Sequence, residues 1–387
     1  MVKRNRAFWI GTLAGGLMIS AAVSWAQLDV TSAGESANAA SEGVPHDAPR
    51  SIISAIPGVP KIFLPDIGVA GDFSFERDSL PKSDPRFDPT KRQPRTRDGQ
   101  IVMFSPIDPF ANAQFTVDLP ETGSANISEA WIYFKKLPFA TTARVGRFAP
   151  VFGLLDTQNT FQLATNDRPY SIAQYVGAGG MTATGGVLDG YVPNPWDLNV
   201  KANVTVARGD LLGGATTTMD LSYLGTLDYS QDIFTTGSLQ TGISVGEAPS
   251  PYGSFETLVE PYAQVIYQPD ERHVLTVSGE GMLAERRYLG NQDFKAGFYL
   301  YADYGFKLRY HVGMLVDVAD LPGETPGSTP LPTGRQLSLA PNATWFVSDN
   351  TRLRLQYTHT TPLGTERPDE KVSLSLTFSL GNLKQLN

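Results

Sequence analysis

The residues of this chain best suited to metal ligation or proton transfer are its four histidines, His46, His273, His311 and His359, and none stands in an H-x-x-x-H spacing. There is no cysteine in 387 residues, which excludes a disulfide scaffold and a thiolate metal site. The glycine-rich stretch AGGMTATGG at 178–186 lacks the lysine and the strand-to-helix context of a phosphate loop. A strand packed closely against a loop accounts for it more simply. A lipid-cleaving enzyme built on strands would need a serine and a histidine aligned on its outer face, whereas alternation sends His311 inward beside Arg309. The chain therefore reads as a non-enzyme, without cofactor or metal.

What remains is charge carried on alternate residues. In VSLSLTFSLG, residues 372–381, every second residue is large and apolar and the residues between are serine, threonine or glycine. DIGVAGDFSF at 66–75, FANAQFTVDL at 110–119, DLNVKANVTV at 197–206 and RLRLQY at 352–357 repeat the period of two. Alternation sustained over about ten residues is the length and period of a tilted membrane-crossing strand, while soluble strands average about five to six. Sixteen such segments can be laid out, with fourteen or eighteen as alternatives. The least regular are those near 98–105, 217–224 and 238–245. Short connections such as SPIDPF, KKLPFA, YQPDER and FVSDNT alternate with long ones at 77–97, 149–180, 246–256, 284–295, 318–333 and 359–369. The fold class expected is all-β: an antiparallel transmembrane β-barrel with both termini on the periplasmic side. Trp196, Tyr267, Trp345 and Tyr357 are candidates for interfacial girdles.

The beginning of the chain fits export. Lys3, Arg4 and Arg6 precede an apolar run from Ile10 to Val23 that ends in Ser24, Trp25 and Ala26. That is the order of a signal peptide cut after Ala26, and the run is shorter than the roughly 20 residues of a bilayer span. Residues 1–26 are thus expected to be a signal peptide, 27–64 a flexible exported linker, 65–381 the barrel and 382–387 a tail. No later stretch approaches the apolar length of a membrane helix. The formal charge of −8 argues against nucleic acid as a partner. Outer-membrane lipid is the expected surrounding.

SPIDPFANAQFTVDL, ISEAWIYFKKLPFATTARVGRFAPVFG and RLRLQYTHTTPLGTERPDEKVSLSLTFSLG resemble the outer-membrane porins grouped with the phosphate-selective porins O and P. The most specific element is VGRFAPVFG, Val145 to Gly153. The resemblance spans about residues 65–381 and implies a sixteen-stranded barrel, often a homotrimer, that passes small anionic or polar solutes. The lysine cluster and arginine ladder of the named phosphate porins have no residue-by-residue counterpart here, so phosphate selectivity is not carried over.

Alternation turns Arg144, Lys201, Arg309, Arg352, Arg354 and Lys371 toward the lumen, together with Asp118, Glu129, Asp220, Glu260, Glu280, Asp303 and Asp317. Four of the positive residues lie on the last four strands and would form a basic wall, and such a field orients solutes and biases ion choice. Pairing among these charges, which would stiffen the barrel, is the alternative for any one of them. The connection at 149–180 is expected to fold inward as a constriction, with Asp156, Asp167 and Arg168 in or near it. The function these features imply is a passive diffusion channel. A barrel with a filled lumen, serving a structural or receptor role, is the alternative.

Overall fold

A computed structural model describes residues 65–82, 92–121, 123–209, 211, 220–249, 255–288, 291–307, 309–320, 334–362 and 368–381, with the backbone alone for 255, 286–288 and 291–293. The expected signal peptide, linker and tail lie outside the described residues. Sixteen strands follow one another: β1 Asp66–Asp78, β2 Arg95–Pro106, β3 Ala111–Asp118, β4 Asn126–Leu137, β5 Thr141–Phe148, β6 Ala183–Tyr191, β7 Val200–Arg208 and β8 Leu221–Ile233, then β9 Gly237–Pro249, β10 Phe255–Asp270, β11 His273–Tyr288, β12 Asn291–Phe306, β13 Tyr310–Asp320, β14 Arg335–Ser348, β15 Thr351–Pro362 and β16 Asp369–Gly381. Each pairs antiparallel with its neighbours in sequence, and β1 closes on β16 from Gly68 opposite Gly381 to Asp78 opposite Lys371. Closure removes the free edge whose unpaired N–H and C=O groups hydrocarbon could not satisfy.

The period of two sorts the side chains as expected. Phe73, Phe75, Val145, Leu188, Leu355, Leu374 and Leu376 are exposed on the outer face. Asp72, Ser74, Glu76, Thr205 and Gln356 are buried inside. A continuous outer apolar band is the hydrocarbon-facing surface of a membrane barrel.

One end of the barrel carries tight turns. Phe110, Phe139, Trp196 and Phe234 stand exposed on them, and Tyr267, Tyr304, Tyr310 and Trp345 lie at the adjoining strand ends. Phe234 meets Tyr267 edge-on at 6.1 Å, and Phe306 stacks on Tyr310 at 5.6 Å. Phe139 (φ 67°) and Phe234 (φ 57°) adopt the left-handed conformation that is rare for bulky residues and that tight hairpin turns demand. This is an aromatic belt of the kind found at a membrane interface. Tyr357, the fourth expected girdle residue, lies midway along β15 instead.

The opposite end carries the longer connections, with two differences from expectation. The segments at 246–256 and 284–295 belong largely to strands, which carry β9 to β12 further from the turns. β8 runs on to Ile233 and reaches β9 through the turn 234–236, whereas the strand had been expected near 217–224.

Leu376, exposed midway along β16, tests the outer band. Leu376→Arg is expected to destabilise the barrel in lipid vesicles by ~2–4 kcal/mol, read from urea unfolding. An unchanged midpoint would mean that this side chain does not meet hydrocarbon.

Candidate functional site: the barrel interior

The connection from β5 to β6 turns into the bore, and the VGRFAPVFG stretch makes the turn. Val145 points outward, Phe148 and Phe152 are fully buried, and Gly153 has φ 63°. A Cβ at Gly153 would stand 2.5 Å from Glu280 Oε2 and 2.7 Å from Glu260 Oε1, so a larger residue would have to displace both carboxyl groups. Thr226 donates to the Val151 carbonyl at 2.8 Å, and the Gly153 N–H donates to Ser244 Oγ at 3.0 Å.

The chain then crosses to the far wall. Asn159 Nδ2 donates to Gln100 Oε1 at 3.1 Å. The Phe161 carbonyl accepts from Arg352, and the Asn166 carbonyl from Arg97. Asn166 also donates its N–H to Gln356 (2.9 Å) and its amide to Ser373 Oγ (2.6 Å), and accepts from Ser375 (2.8 Å). The short helix α1, Tyr170–Val176, begins where Asp317 accepts from the Tyr170 and Ser171 N–H groups at 2.7 and 3.2 Å. A carboxylate there satisfies donors that the first turn leaves unpaired. Phe148, Phe152, Ile172, Tyr175, Val176 and Met181 form a dry cluster with Leu224, Leu258, Met282, Tyr299 and Leu315 of the inner wall.

Two charged centres fix this connection. Arg168 donates to the carbonyls of Leu155 (2.5 Å), Gln158 (2.9 Å) and Ala178 (3.4 Å), tying its two arms together. Asp156 accepts from the Met181 N–H at 2.6 Å. Burial, opposed by Arg168 and the Met181 N–H and aided by Glu280, pushes the Asp156 carboxyl up to about 7. At Asp167 burial acts in the same sense, but Lys371 and Arg97 outweigh it and hold the carboxyl well below the usual range. Arg97 lies 3.6 Å from Asp167 and 3.3 Å from Asp72.

The interior is uneven around the ring. The inward residues near mid-height on β8 to β16 and on β1 are mostly buried: Glu260, Glu280, Asp317, Arg352 and Arg354 are each 1–3% exposed. Ser373, Ser375, Thr377 and Ser379 are 0–4% exposed: Asn166 of the crossing connection bonds Ser373 and Ser375, and Thr377 donates to Asp72 at 3.0 Å. On β3 to β5, by contrast, Asn112, Gln114, Asp118, Glu129, Trp131 and Arg144 keep partial exposure. Glu129 accepts from Gln114 (2.6 Å) and the Trp131 indole (3.3 Å). Asp118 accepts from Gln100 and Ser128, each at 2.8 Å. Arg144 lies 5.0 Å over the Trp131 ring.

Among the other expected charges, Lys201 is half-exposed inside the bore, 4.0 Å from Asp189. Lys371 pairs with Asp167, Arg354 donates to Thr344 at 3.0 Å, and Asp303 lies 2.6 Å from His311. Two stand elsewhere. Arg309 lies exposed in the turn joining β12 and β13, because the strand expected from 307 begins only at Tyr310. Asp220 precedes β8 and is exposed.

The sequence reading missed Arg95 and Arg97. A β-bulge where β2 passes Asp72 and Phe73 inserts one residue, so that Arg97 and Asp98 both reach the interior. Arg95 pairs with Glu76 at 2.8 Å. The available signal was arginine at alternate positions in RTRD, just before the strand was taken to begin.

No family model matches the chain. An Aquifex aeolicus protein described as uncharacterized is 25% identical in a 232-residue alignment that covers 52% of this chain and 49% of the relative, so the chain spans about half that relative's length. Among solved structures, an anion-selective porin from Comamonas acidovorans has a TM-score of 0.57 at 11% identity, covering 81% of this chain and 98% of its own. Pseudomonas putida OprB has a TM-score of 0.56 at 12% identity, covering 82% and 93%. Salmonella typhi OmpF in complex with daunomycin has a TM-score of 0.53 at 10% identity, covering 82% and 97%. The chain has the fold of the outer-membrane porins.

The folded chain holds the Asp156 proton up to about 7, whereas an undocked connection releases it at roughly 4. Docking therefore loses stability as pH rises through that window, by about 1 kcal/mol per pH unit. Asp156→Asn keeps the acceptor for Met181 and is expected to abolish this slope, so that hydrogen exchange of residues 150–182 between pH 5 and 8, corrected for intrinsic rates, no longer differs. A slope that survives the substitution would place the titration at another group.

Proposed function

We propose that the protein is a passive diffusion channel of the bacterial outer membrane for small polar solutes, narrowed by residues 149–182. The observation that carries this reading is the contrast between the walls. Near mid-height the crossing connection lies over most of the inner faces of β8 to β16, while side chains of both signs on β3 to β5 stay partly exposed. Solute would pass along Gln114, Glu129, Trp131 and Arg144, past the connection's Gln158 and Asn159. The long connections would face outward and the termini the periplasm. The homotrimer implied by the sequence resemblance, joined through part of the apolar outer band, belongs to the same proposal.

A basic wall does not set selectivity in this reading. Arg352 and Arg354 lie beneath the connection, where Arg352 donates to a loop carbonyl and Arg354 to a neighbouring strand. The partly exposed sector carries acid and base together, so strong anion preference is not part of the proposal. The resemblance to phosphate-selective porins O and P contributes the VGRFAPVFG stretch and the homotrimer, and no selectivity. The dry cluster around Phe152 and Ile172 favours the second reading, a filled structural barrel.

Substituted-cysteine labelling in planar bilayers separates the two readings, and the chain has no native cysteine to interfere. Stepwise conductance is expected. A water-borne methanethiosulfonate should react with Gln114→Cys and lower that conductance, and should leave Ser375→Cys, beneath Asn166, unmodified. Folded protein that gives no conductance steps would leave the filled barrel as the better account.

A further inference from the structure

A second concavity lies in the bore on the tight-turn side of the connection's root. It encloses about 370 Å³ against the inner faces of β6 to β9, the size of a small-solute site. Strand register brings its polar groups together: Asp189 stands opposite Asn203, Tyr191 opposite Lys201 and Lys201 opposite Asp228. Gln240 and Tyr262 both donate to Asp228 Oδ2, at 2.6 and 3.0 Å, which fixes the carboxylate. Asn203 donates to Asp189 Oδ1. In each carboxylate the second oxygen has no partner among the described residues.

Gly242 makes this arrangement possible. It lies opposite Asp228, and a Cβ there would come within 2.4 Å of Tyr262 Oη. Without that side chain the phenol can lean across and support the carboxylate from below.

We infer that this concavity is a binding subsite for a neutral polyhydroxylated solute of monosaccharide size. Fixed carboxylate oxygens accept from vicinal hydroxyls, while the Lys201 ammonium and the amides of Asn203 and Gln240 complete a set of donors and acceptors around a ring of alcohols. The two carboxylates outnumber the single ammonium, which disfavours a phosphate-like anion. Tyr191, exposed at the mouth, offers an apolar ring face for the C–H side of a sugar. The inference rests on the channel reading, because solute reaches the subsite only through the bore.

Glucose is the probe and inorganic phosphate the counter-probe, applied to the full chain in planar bilayers, with equilibrium dialysis of radiolabelled glucose against detergent-solubilised protein in parallel. Expected are a saturable fall in single-channel conductance with glucose, no saturable effect of phosphate, and apparent affinity at least tenfold weaker in both Asp228→Asn and Gln240→Leu. Conductance steps with no saturable glucose effect and no binding in dialysis would overturn the subsite and leave the channel standing. Glucose binding in dialysis that both variants weaken, with no conductance from any of the proteins, would overturn the channel and support the subsite. Glucose binding unchanged in both variants, or saturable phosphate block that depends on Lys201, would overturn the subsite.

Discussion

Hydrocarbon offers no hydrogen-bond partner, and every other feature of this molecule follows from that. A sheet placed in it must close, and β1 pairing with β16 closes it. Closure of sixteen strands leaves a bore too wide for the wall's own side chains to fill. The outer face is thereby held to apolar residues across the hydrocarbon thickness, and charged residues such as Arg77 and Arg208 share that face only near the strand ends. The inner face carries no such restriction and differs from sector to sector. That freedom lets one wall be apolar, the next charged and a third partly open.

The connection from β5 to β6 exploits the difference. Its aromatic and aliphatic residues go to Leu258, Met282 and Leu315, where each large side chain removed from water contributes about 1.5–3 kcal/mol. Its carbonyls and Asn166 go to the charged and hydroxyl-bearing wall, where a hydrogen bond contributes a net ~0.5–1.5 kcal/mol. On the second wall the larger effect is the one avoided. Arg352 is almost wholly buried, and a buried guanidinium without an acceptor costs several kcal/mol. The Phe161 carbonyl supplies that acceptor. Covering this wall and satisfying its arginines are one event, which is why the short residues Ser373 and Ser375 are needed beside them. Larger side chains there would hold the connection away.

The same division explains what could be read from the sequence. All sixteen strands were legible because the outer face obeys one rule throughout. The boundary of β8 was not, because Leu224 faces the dry inner cluster, and apolar residues on both faces at 223–224 break the visible alternation. Arg97 was missed because a bulge changes the facing of one residue, and periodicity carries no record of a bulge. The lumen charges were assigned inward on parity, and Arg352 and Arg354 do point inward. Parity gives direction without depth of cover, so it cannot separate a side chain that meets water from one lying under another segment. Asn166, which makes more contacts to the far wall than any of the charges proposed for the connection, sits in a stretch without periodicity and left no signal. Arg309 shows the complementary limit: its parity is right, but the strand begins only after it, at Tyr310.

The way the connection is held also bears on how a solute would be selected. It is fixed to the wall at its root through Val151 and Gly153, at its crossing point through Asn166 and at α1 through Asp317, and its return is tied to its outgoing arm by Met181 donating to Asp156. Arg168 ties the outgoing and returning arms to each other. A segment anchored at so many separated points cannot swing as a unit without breaking several buried polar contacts at once, each costing about 1–3 kcal/mol when left unpaired. In the proposed channel, discrimination would therefore belong to a fixed outline and fixed dipoles, already oriented before solute arrives. With no reorganisation to drive in that channel, weak contacts at Glu129, Arg144 or Asp228 would suffice to favour one solute over another, and the same weakness would let it leave.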